Sequence, residues 1–463
     1  MQSTMMNVPL TTAAILRHGS SVHGSATVRT LQPDGSVKVA SFAEIGRRSA
    51  QLANALRGCG ITGDERVATF MWNNQEHVEA YCAVPSMGAV LHTLNLRLAS
   101  DQLVYIGNHA EDRVVILDGS LVPLLAPVLP HITSVHTVVV TGGVDLTPLH
   151  RDGVRVVGYE EFLASQSDTF DWPDLDEQSA AAMCYTSGTT GNPKGVAYSH
   201  RSTYLHSMAA CAADGLRVGC DDRILAIVPM FHANAWGLVY AALMAGADLL
   251  MPDRFLQAEP LVRLIDAQKP TVAGAVPTIW NDVLNFVEAN PSYDISSLGL
   301  VACGGSAVPV HLMEIFEEKY GVQVVQAWGM TETSPLATVA LNRDGHPVIF
   351  PTGFKGISVL PGCYAVSSIN NGDPHRQDWD LRTALTRFRG EIDPDDFDLM
   401  LIDCPPNLAL CSWAALVAAD HVIVPLQPED YGSQGIRHIH ELIGAVKASD
   451  NPDVDLLGYL ITR

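Results

Sequence analysis

The chain has 463 residues, of which 47% are hydrophobic and 17% are charged. This composition excludes an intrinsically disordered protein and leaves room for two or three domains with their own cores. The formal net charge of -22 argues against a general surface for nucleic acids or anionic membranes.

The nine cysteines are scattered without a C-x-x-C pair. This pattern favours a reducing cytoplasm over a disulfide framework or a zinc site, so we expect a cytoplasmic protein. The first twenty residues lack the basic and apolar blocks of a secretion signal. The most apolar stretch, 236–251, is too short to span a bilayer, and we interpret it as a buried helix.

Apolar residues recur at helical spacing between Ser41 and Gly60, which predicts an amphipathic helix. Short apolar runs then alternate with further helical patterns. The predicted strands are 66–71, 113–117, 135–140, 223–229, 248–251, 271–276 and 298–303, and the predicted helices include 76–88, 236–245 and 258–268. Repeated alternation of this kind predicts a mainly parallel α/β sheet that is covered by helices.

The most informative stretch is 185–195, which combines hydroxyl side chains, glycines and one lysine. Its candidate phosphate-binding residues are Thr186, Ser187, Gly188, Thr189, Thr190, Gly191 and Lys194. Glycines let several backbone N–H groups turn toward one point, and a lysine adds a mobile positive charge. We therefore predict a triphosphate loop, although its spacing differs from the P-loop. The alternative is a polar surface turn.

Two further motifs follow predicted strands. Gly304, Gly305, Ser306 and Ala307 come after the strand 298–303, where open α/β sheets bind ligands. The second motif runs through Gln326, Ala327, Trp328, Gly329, Met330, Thr331 and Glu332. Thr331 could bond a phosphate and Glu332 could bind Mg²⁺. The alternative is a strand end followed by a helix N-cap with an acid in its first turn.

These motifs, together with 229–237 and 88–98, resemble the AMP-forming acyl-CoA synthetases, and most closely the fatty-acyl-CoA ligases. The resemblance covers about 1–340. It implies stacked mixed or parallel sheets flanked by helices, as in the N-terminal domain of adenylate-forming enzymes. It also implies condensation of a carboxylate with Mg-ATP to an acyl-adenylate, followed by acyl transfer to coenzyme A. The implied partners are a fatty acid, ATP and coenzyme A, and a homodimer is compatible with the family.

The same resemblance implies roles for individual residues. Thr186 and Glu332 would hold Mg²⁺, and 187–194 would bind the β- and γ-phosphates. Thr331 would contact the α-phosphate, and 304–307 with 326–330 would surround adenine and the acyl-adenylate. His232 would lie beside the substrate carboxylate, and Trp236 would gate the acyl tunnel. A histidine before a buried helix is otherwise usually structural.

Past Ala340 the sequence departs from this family. The ribose-binding Thr-Gly-Asp, the hinge and the small C-terminal domain with its catalytic lysine are not found. The segment 342–463 instead resembles the middle of ParA-type partition ATPases, with predicted strands at 397–403 and 456–462 and a predicted helix at 435–448. By that likeness Asp403 would hold Mg²⁺ as the Walker B carboxylate. The P-loop of those ATPases is also missing.

We therefore predict an incomplete acyl-CoA synthetase domain over 1–340 and a P-loop-NTPase-like α/β segment over 341–463. Three functions stay open at this point. The chain could be a fatty-acyl-CoA ligase with impaired turnover, a partition ATPase or scaffold that acts through its C-terminal segment, or an inactive chimera that binds nucleotide. Nucleic acid is indicated only by the ParA likeness.

Overall fold

The computed structural model describes residues 3–186, 192–340, 350–351, 358–359, 401–402, 404, 410–426 and 432–461. The chain divides into two compact units, Met1–Pro361 and Gly362–Arg463. The predicted strand 397–403 lies mostly outside the described residues.

The strands of the described residues are β1 (Thr27–Leu31), β2 (Val37–Ser41), β3 (Arg66–Phe70), β4 (Val90–Thr93), β5 (Asp112–Leu117), β6 (Thr137–Val140), β7 (Arg155–Gly158), β8 (Ala180–Thr186), β9 (Lys194–Ser199), β10 (Arg223–Ala226), β11 (Asp248–Met251), β12 (Val272–Ala275), β13 (Leu300–Gly304), β14 (Gln323–Gly329), β15 (Leu336–Val339), β16 (Phe350–Pro351), β17 (Ser358–Val359), β18 (His421–Leu426) and β19 (Asp455–Ile461). The helices are α1 (Thr12–Ser21), α2 (Phe42–Gly58), α3 (Gln75–Ser86), α4 (Ser100–Ala110), α5 (Val122–Leu125), α6 (Tyr159–Leu163), α7 (His200–Cys211), α8 (Leu238–Ala245), α9 (Ala258–Gln268), α10 (Pro277–Ala289), α11 (Val310–Tyr320), α12 (Leu410–Ala418) and α13 (Gly432–Ser449).

The first unit contains two large sheets. One has seven strands in the order β7-β6-β5-β3-β4-β8-β9, and the other has eight in the order β15-β14-β13-β12-β10-β11-β1-β2. Neighbouring strands are parallel except for the pairs β8–β9, β14–β15 and β1–β2. The predicted α/β fold, with mixed or mainly parallel sheets flanked by helices, is confirmed.

Helices lie on both faces of each sheet. One apolar core contains residues of both sheets together with residues of α1, α2, α3 and α8, so these helices lie between the sheets. A second core joins the other face of the eight-stranded sheet to α9, α10 and α11. A third joins the outer face of the seven-stranded sheet to α4 and α5. Strands covered on both faces are apolar throughout, which is why they are recognisable as continuous apolar runs.

Local signals explain where α2 begins. The hydroxyl of Ser41 accepts a hydrogen bond from the backbone N–H of Glu44 at 3.1 Å, which is an N-cap contact. Phe42, Ile45, Leu52 and Leu56 of the same helix are buried at helical spacing. The predicted helix within 41–60 is therefore confirmed, with Phe42–Gly58 as its observed bounds.

The second unit contains a parallel pair of strands, β18 and β19, which are joined through α13. Trp413 of α12 packs with Val446 of α13 and Val454 in a small apolar core. The helix α13 covers the predicted helix 435–448, and β19 covers most of the predicted strand 456–462. This strand–helix–strand unit is the α/β arrangement expected from the sequence.

Candidate active site

The predicted phosphate loop connects β8 to β9, the antiparallel pair at one edge of the seven-stranded sheet. Thr186 and Lys194 are paired opposite each other at the end of this hairpin that adjoins the loop. Thr186 is half-buried and Lys194 is exposed. Ser187, Gly188, Thr189, Thr190 and Gly191 lie outside the described residues. The structure therefore places the two ends of the predicted loop side by side.

Tyr198 links this hairpin to the Thr331–Glu332 motif. The residue belongs to β9, and its side chain is buried. Burial raises the pKa of its phenol well above the usual range, and interactions with Cys184 and with the carboxylate of Glu332 raise it further. Glu332 therefore lies near β9, although more than 130 residues separate it from Tyr198. Tyr198 was not predicted from the sequence, because no motif distinguishes it from other strand residues.

Thr331 and Glu332 lie in a short 3-10 helix, Thr331–Thr333, directly after β14. Gly329 allows this turn, because a Cβ there would come within 2.1 Å of the carbonyl oxygen of Pro335. The hydroxyl of Thr333 accepts a hydrogen bond from the N–H of Met330 at 2.8 Å. Thr331 is buried, whereas Glu332 is exposed. The Glu332 carboxylate is therefore accessible to a ligand from the solvent.

The described residues contain no group of three or more His, Cys, Asp or Glu side chains that could hold a metal ion. The exposed carboxylate of Glu332 and the hydroxyl of Thr186 alone cannot supply all the ligands of a metal ion. They do suit Mg²⁺ that arrives with a nucleotide, because Mg²⁺ usually takes one or two protein oxygens alongside phosphates and water. The residues present thus fit a nucleotide-borne ion.

The side chain of Gln326 in β14 lies next to the glycine-rich motif. Gln326 accepts a hydrogen bond from the N–H of Val308 at 2.8 Å and donates one to the carbonyl oxygen of Ala327 at 3.3 Å. Gly304 lies so close to β14 that a Cβ would come within 2.3 Å of the same carbonyl oxygen, and Gly305 has a φ of +79°. Ser306 and Ala307 continue this turn.

These residues stand at the carboxyl ends of neighbouring parallel strands, β13 and β14. Trp328 and Gly329 complete β14, and Trp328 is opposite Thr338 of β15. Met330 is 48% exposed directly after the strand. Ligands bind at this edge of open α/β sheets, and the resemblance predicts the adenine site here.

The predicted acyl-site residues follow β10. His232 precedes a run in which Ala233, Asn234, Ala235 and Trp236 have φ values of 47°, 49°, 48° and 54°. Gly237 continues the run with a φ of 72°. Left-handed backbone is unfavourable for residues with a Cβ, at roughly 1–2 kcal/mol each. The prediction that a helix begins at Trp236 is therefore wrong, since α8 begins at Leu238 after this turn.

His232 retains exposed surface at the start of the turn. The protein atoms around the imidazole lower its pKa, and the positive charge of Arg97 lowers it further. Both causes favour the neutral imidazole near pH 7. A neutral imidazole can donate a hydrogen bond from its one N–H to a carboxylate without forming a strong ion pair.

Trp236 is half-buried, and its indole ring lies across the ends of two parallel strands. A Cβ on Gly304 of β13 would be 3.3 Å from Cη2 of the ring, and a Cβ on Gly274 of β12 would be 3.6 Å from Cε3. The two glycines thus provide the space in which the ring lies. Trp236 and the glycine-rich motif, predicted as separate parts of one site, are in contact.

His206 of α7 lies next to Gly237, the last residue of the turn. A Cβ on Gly237 would come within 2.3 Å of its Nδ1, and its Nε2 accepts a hydrogen bond from the N–H of Leu336 at 3.2 Å. Burial lowers the pKa of His206 to about 4, so the ring is neutral and can accept this bond. His206 was also not predicted from the sequence, because no spacing pattern distinguishes it.

Asp403, the predicted Walker B carboxylate of the second unit, lies outside the described residues. The strands β18 and β19, which follow it in the chain, are parallel, as is usual in an α/β unit. Its proposed metal-binding role stays a prediction.

A family model described as an AMP-binding enzyme matches residues 23–360. The chain therefore belongs to the AMP-binding enzyme family. A second model, described as an AAA domain, matches residues 344–456. The first match extends beyond the predicted boundary at residue 340, and the two matches overlap over 344–360.

The curated proteins similar to the first part are acyl-CoA ligases. The 3-methylmercaptopropionyl-CoA ligase of Ruegeria pomeroyi is 43% identical over 339 residues, which are 73% of this chain and 62% of that protein. The medium-chain-fatty-acid–CoA ligase of Ectopseudomonas oleovorans is 40% identical over 351 residues, covering 76% of this chain and 64% of that protein. The chain thus spans less than two thirds of the length of these relatives.

Solved structures show the same fold. An anthranilate CoA ligase in complex with anthranoyl-AMP superposes with a TM-score of 0.67 at 22% identity, covering 76% of this chain and 66% of that one. A long-chain-fatty-acid-CoA ligase from Archaeoglobus fulgidus gives a TM-score of 0.63 at 25% identity, covering 73% and 68%. The adenylate-forming fold predicted for the first part is confirmed. Among the described residues, no helix is long and apolar enough to cross a membrane.

Proposed function

We propose that the first unit binds Mg-ATP and a fatty acid and joins them as an acyl-adenylate, with coenzyme A as the later acyl acceptor. One observation carries the proposal: the phosphate hairpin lies near Glu332 through Tyr198, and Trp236 of the acyl-site turn lies against Gly304 of the glycine-rich motif. These proximities join four separate stretches of sequence in two pairs, the hairpin with Glu332 and Trp236 with Gly304, and they support the proposal.

In the proposed reaction, an oxygen of the substrate carboxylate attacks the α-phosphorus of ATP. The bond from that phosphorus to pyrophosphate breaks. Lys194 and the loop 187–191 would stabilise the charge on pyrophosphate, and Thr331 would donate a hydrogen bond to the α-phosphate. Bound Mg²⁺, held by Thr186 and Glu332, would neutralise phosphate charge. Such preorganised charge usually provides most of the catalysis in reactions of this kind.

An apolar acid is supported by the side chains around the acyl site. Phe231 is buried and Trp236 is half-buried, and the ring centroids of Phe231 and Trp72 are 6.2 Å apart. The neutral state favoured for His232 suits a carboxylate that must remain nucleophilic. Two of the relatives are named for medium-chain and long-chain fatty acids, which makes an aliphatic acid the first substrate to test.

We further propose that adenylation is slow and that thioester formation is impaired. Residues 341–463 do not carry the ribose aspartate, hinge and catalytic lysine that the family resemblance leads us to expect there. Those groups act on the transition state, so their loss lowers turnover more than nucleotide binding. The expected behaviour is ATP binding with weak catalysis.

Exchange of radiolabelled pyrophosphate into ATP with octanoate tests the proposal, because it needs only the adenylation step. We expect exchange that depends on octanoate and falls about 100-fold in Lys194→Ala, the scale for loss of one transition-state donor. Lys319→Ala is the control, since Lys319 is an exposed lysine paired with Glu288 on the outer helices. Equal exchange in both variants would refute the assignment of Lys194.

The match to an AAA domain over 344–456 supports a second candidate, a ParA-type ATPase activity of the C-terminal segment. In that case ATP hydrolysis would respond to DNA and would fall in Asp403→Asn. Hydrolysis that is insensitive to both would reject this candidate. Limited proteolysis between residues 341 and 356 would test the proposed division into segments 1–340 and 341–463.

A further inference from the structure

Met230, two residues before His232, has both of its backbone groups bound by side chains from another part of the fold. Its N–H donates to Oδ1 of Asn73 at 2.8 Å, and its carbonyl oxygen accepts from the hydroxyl of Tyr81. Met230 itself is fully buried. Backbone groups outside regular structure need such partners when they are buried. Here the partners come from the loop before α3 and from α3 itself.

Asn73 makes further contacts with the same segment. Its Nδ2 donates to the carbonyl oxygens of Ala226 and Val228, each at 2.8 Å. The side chain is 2% exposed. One amide group thus binds three backbone positions between the end of β10 and the acyl-site turn. It uses both of its donors and one acceptor to do so.

Tyr81 reaches the other side of His232. Its hydroxyl lies 3.1 Å from Oδ1 of Asn234, so that its one proton is shared between Met230 and Asn234. Asn234 is buried within the left-handed turn, and Cys184 of β8 also contacts the same oxygen at 3.6 Å. The two residues that Tyr81 joins therefore flank His232 on both sides.

We propose that Asn73 and Tyr81 are positioning residues that set the place of His232 and Trp236 for the acid substrate. A left-handed run of residues with Cβ atoms is unfavourable alone and persists only where surrounding contacts hold it. The proposal rests on the proposed function, because it assigns a substrate effect to the acyl-site turn. The side-chain hydrogen bonds of Asn73 and Tyr81 go to residues 226–234, so we expect Mg-ATP binding to be affected little.

Tyr240→Phe provides a matched control for Tyr81→Phe. Both phenols are buried, and their rings lie 5.9 Å apart. The hydroxyl of Tyr240 also donates to a buried carbonyl oxygen, that of Tyr81, at 2.8 Å. Each substitution removes one buried hydroxyl and keeps the ring, but only Tyr81→Phe releases the segment around His232.

The test measures the dissociation constants of octanoate and of Mg-ATP, together with amide hydrogen exchange over residues 228–237. In Tyr81→Phe we expect the octanoate constant to rise about fivefold to tenfold, the scale of one buried hydrogen bond. We expect the Mg-ATP constant to stay within about twofold, and amide exchange to be faster in this segment. Tyr240→Phe should change none of the three.

Equal effects of the two substitutions on octanoate would overturn the proposal, as would an equal loss of Mg-ATP binding. If the unsubstituted chain binds no octanoate, the proposed function fails and amide exchange decides the present inference. Faster exchange over 228–237 in Tyr81→Phe alone would then support the positioning pair. Unchanged exchange would refute it.

Discussion

The indole ring of Trp236 lies against Gly304, with Cη2 of the ring 3.3 Å from the place where a Cβ would stand on the glycine. These residues belong to two motifs that are about 70 positions apart in the chain. The turn at 233–237 and the glycine-rich motif at 304–307 therefore meet at Gly304. A side chain at this position would disturb both.

Substitution of Gly304 by alanine should destabilise the first unit. The added methyl would also come within 2.3 Å of the carbonyl oxygen of Ala327, so that β13 or β14 must move. We expect a loss of about 1–3 kcal/mol in the free energy of unfolding, the usual cost of overpacking. Urea denaturation followed by tryptophan fluorescence measures it.

Gly274→Ala is the matched control for this prediction. A Cβ at Gly274 would have its nearest neighbours at 3.4 Å, which is ordinary van der Waals contact. The variant should unfold within about 0.5 kcal/mol of the unsubstituted chain, as most substitutions without a clash do. If both variants lose stability equally, close contact with Ala327 is not the cause.

The strands and outer helices could be predicted from sequence because burial on both faces produces clear patterns. The observed bounds of β11 and α9 are the same as those predicted, 248–251 and 258–268. The turn at Trp236 could not be predicted in this way, because its apolar residues also suit a helix. Tyr81 and His206, which contact this turn, are distant from it in the sequence and leave no local pattern.

The candidate site likewise contains residues that a local motif can predict and residues that only the tertiary structure brings together. Thr186, Lys194, His232 and Glu332 belong to short motifs that sequence can recognise, and their roles stay predictions. Tyr198 was missed because its proximity to Glu332 results from the packing of an edge hairpin against the next sheet. Such proximity depends on tertiary structure and leaves no local signal.

Asp253 should make the first unit less stable as pH rises from about 4 to about 7. It follows β11, and one carboxylate oxygen is buried without a hydrogen-bond partner among the described residues. Burial, and then the charge of Asp118, raises its pKa to about 7. The folded state binds this proton more tightly than the unfolded state, so its stabilising contribution is present below pH 4 and is lost as pH approaches 7.

Asp253→Asn keeps the shape and removes the charge. We expect its Tm at pH 8 to exceed that of the unsubstituted chain by about 2 °C, the scale of a gain below 1 kcal/mol. The difference should vanish at pH 4. Asp221→Asn, an exposed aspartate, controls for the change in net charge. A Tm difference that is the same at both pH values would contradict the assignment.

Asn451 should be the most sensitive polar residue of the second unit. Its Nδ2 lies within hydrogen-bonding distance of the carbonyl oxygens of Leu416, Val417 and Ala419, at 3.1, 3.0 and 2.8 Å. It therefore satisfies the C-terminal end of α12. Asn451→Ala should cost about 1–3 kcal/mol, because it leaves these carbonyls without their partner.

Hydrogen exchange of the whole chain locates this effect. Peptides from 410–426 and 432–461 should exchange faster in Asn451→Ala, while peptides of the first unit should be unchanged. Asp453→Ala, an exposed neighbour, is the control. Faster exchange that extends through both units would show that they do not unfold independently.

Glu332→Gln should weaken ATP binding only in the presence of Mg²⁺. The exposed carboxylate is proposed to bind the ion, and an amide oxygen is a weaker ligand for a hard cation. We expect the dissociation constant of Mg-ATP to rise about tenfold, which corresponds to about 1.4 kcal/mol. The constant for ATP measured in EDTA should be unchanged or slightly lower, because a negative charge near the phosphates has been removed. Glu288→Gln, at an exposed glutamate paired with Lys319, should leave both constants unchanged. An equal loss of affinity with and without Mg²⁺ would mean that Glu332 supports the loop rather than the ion.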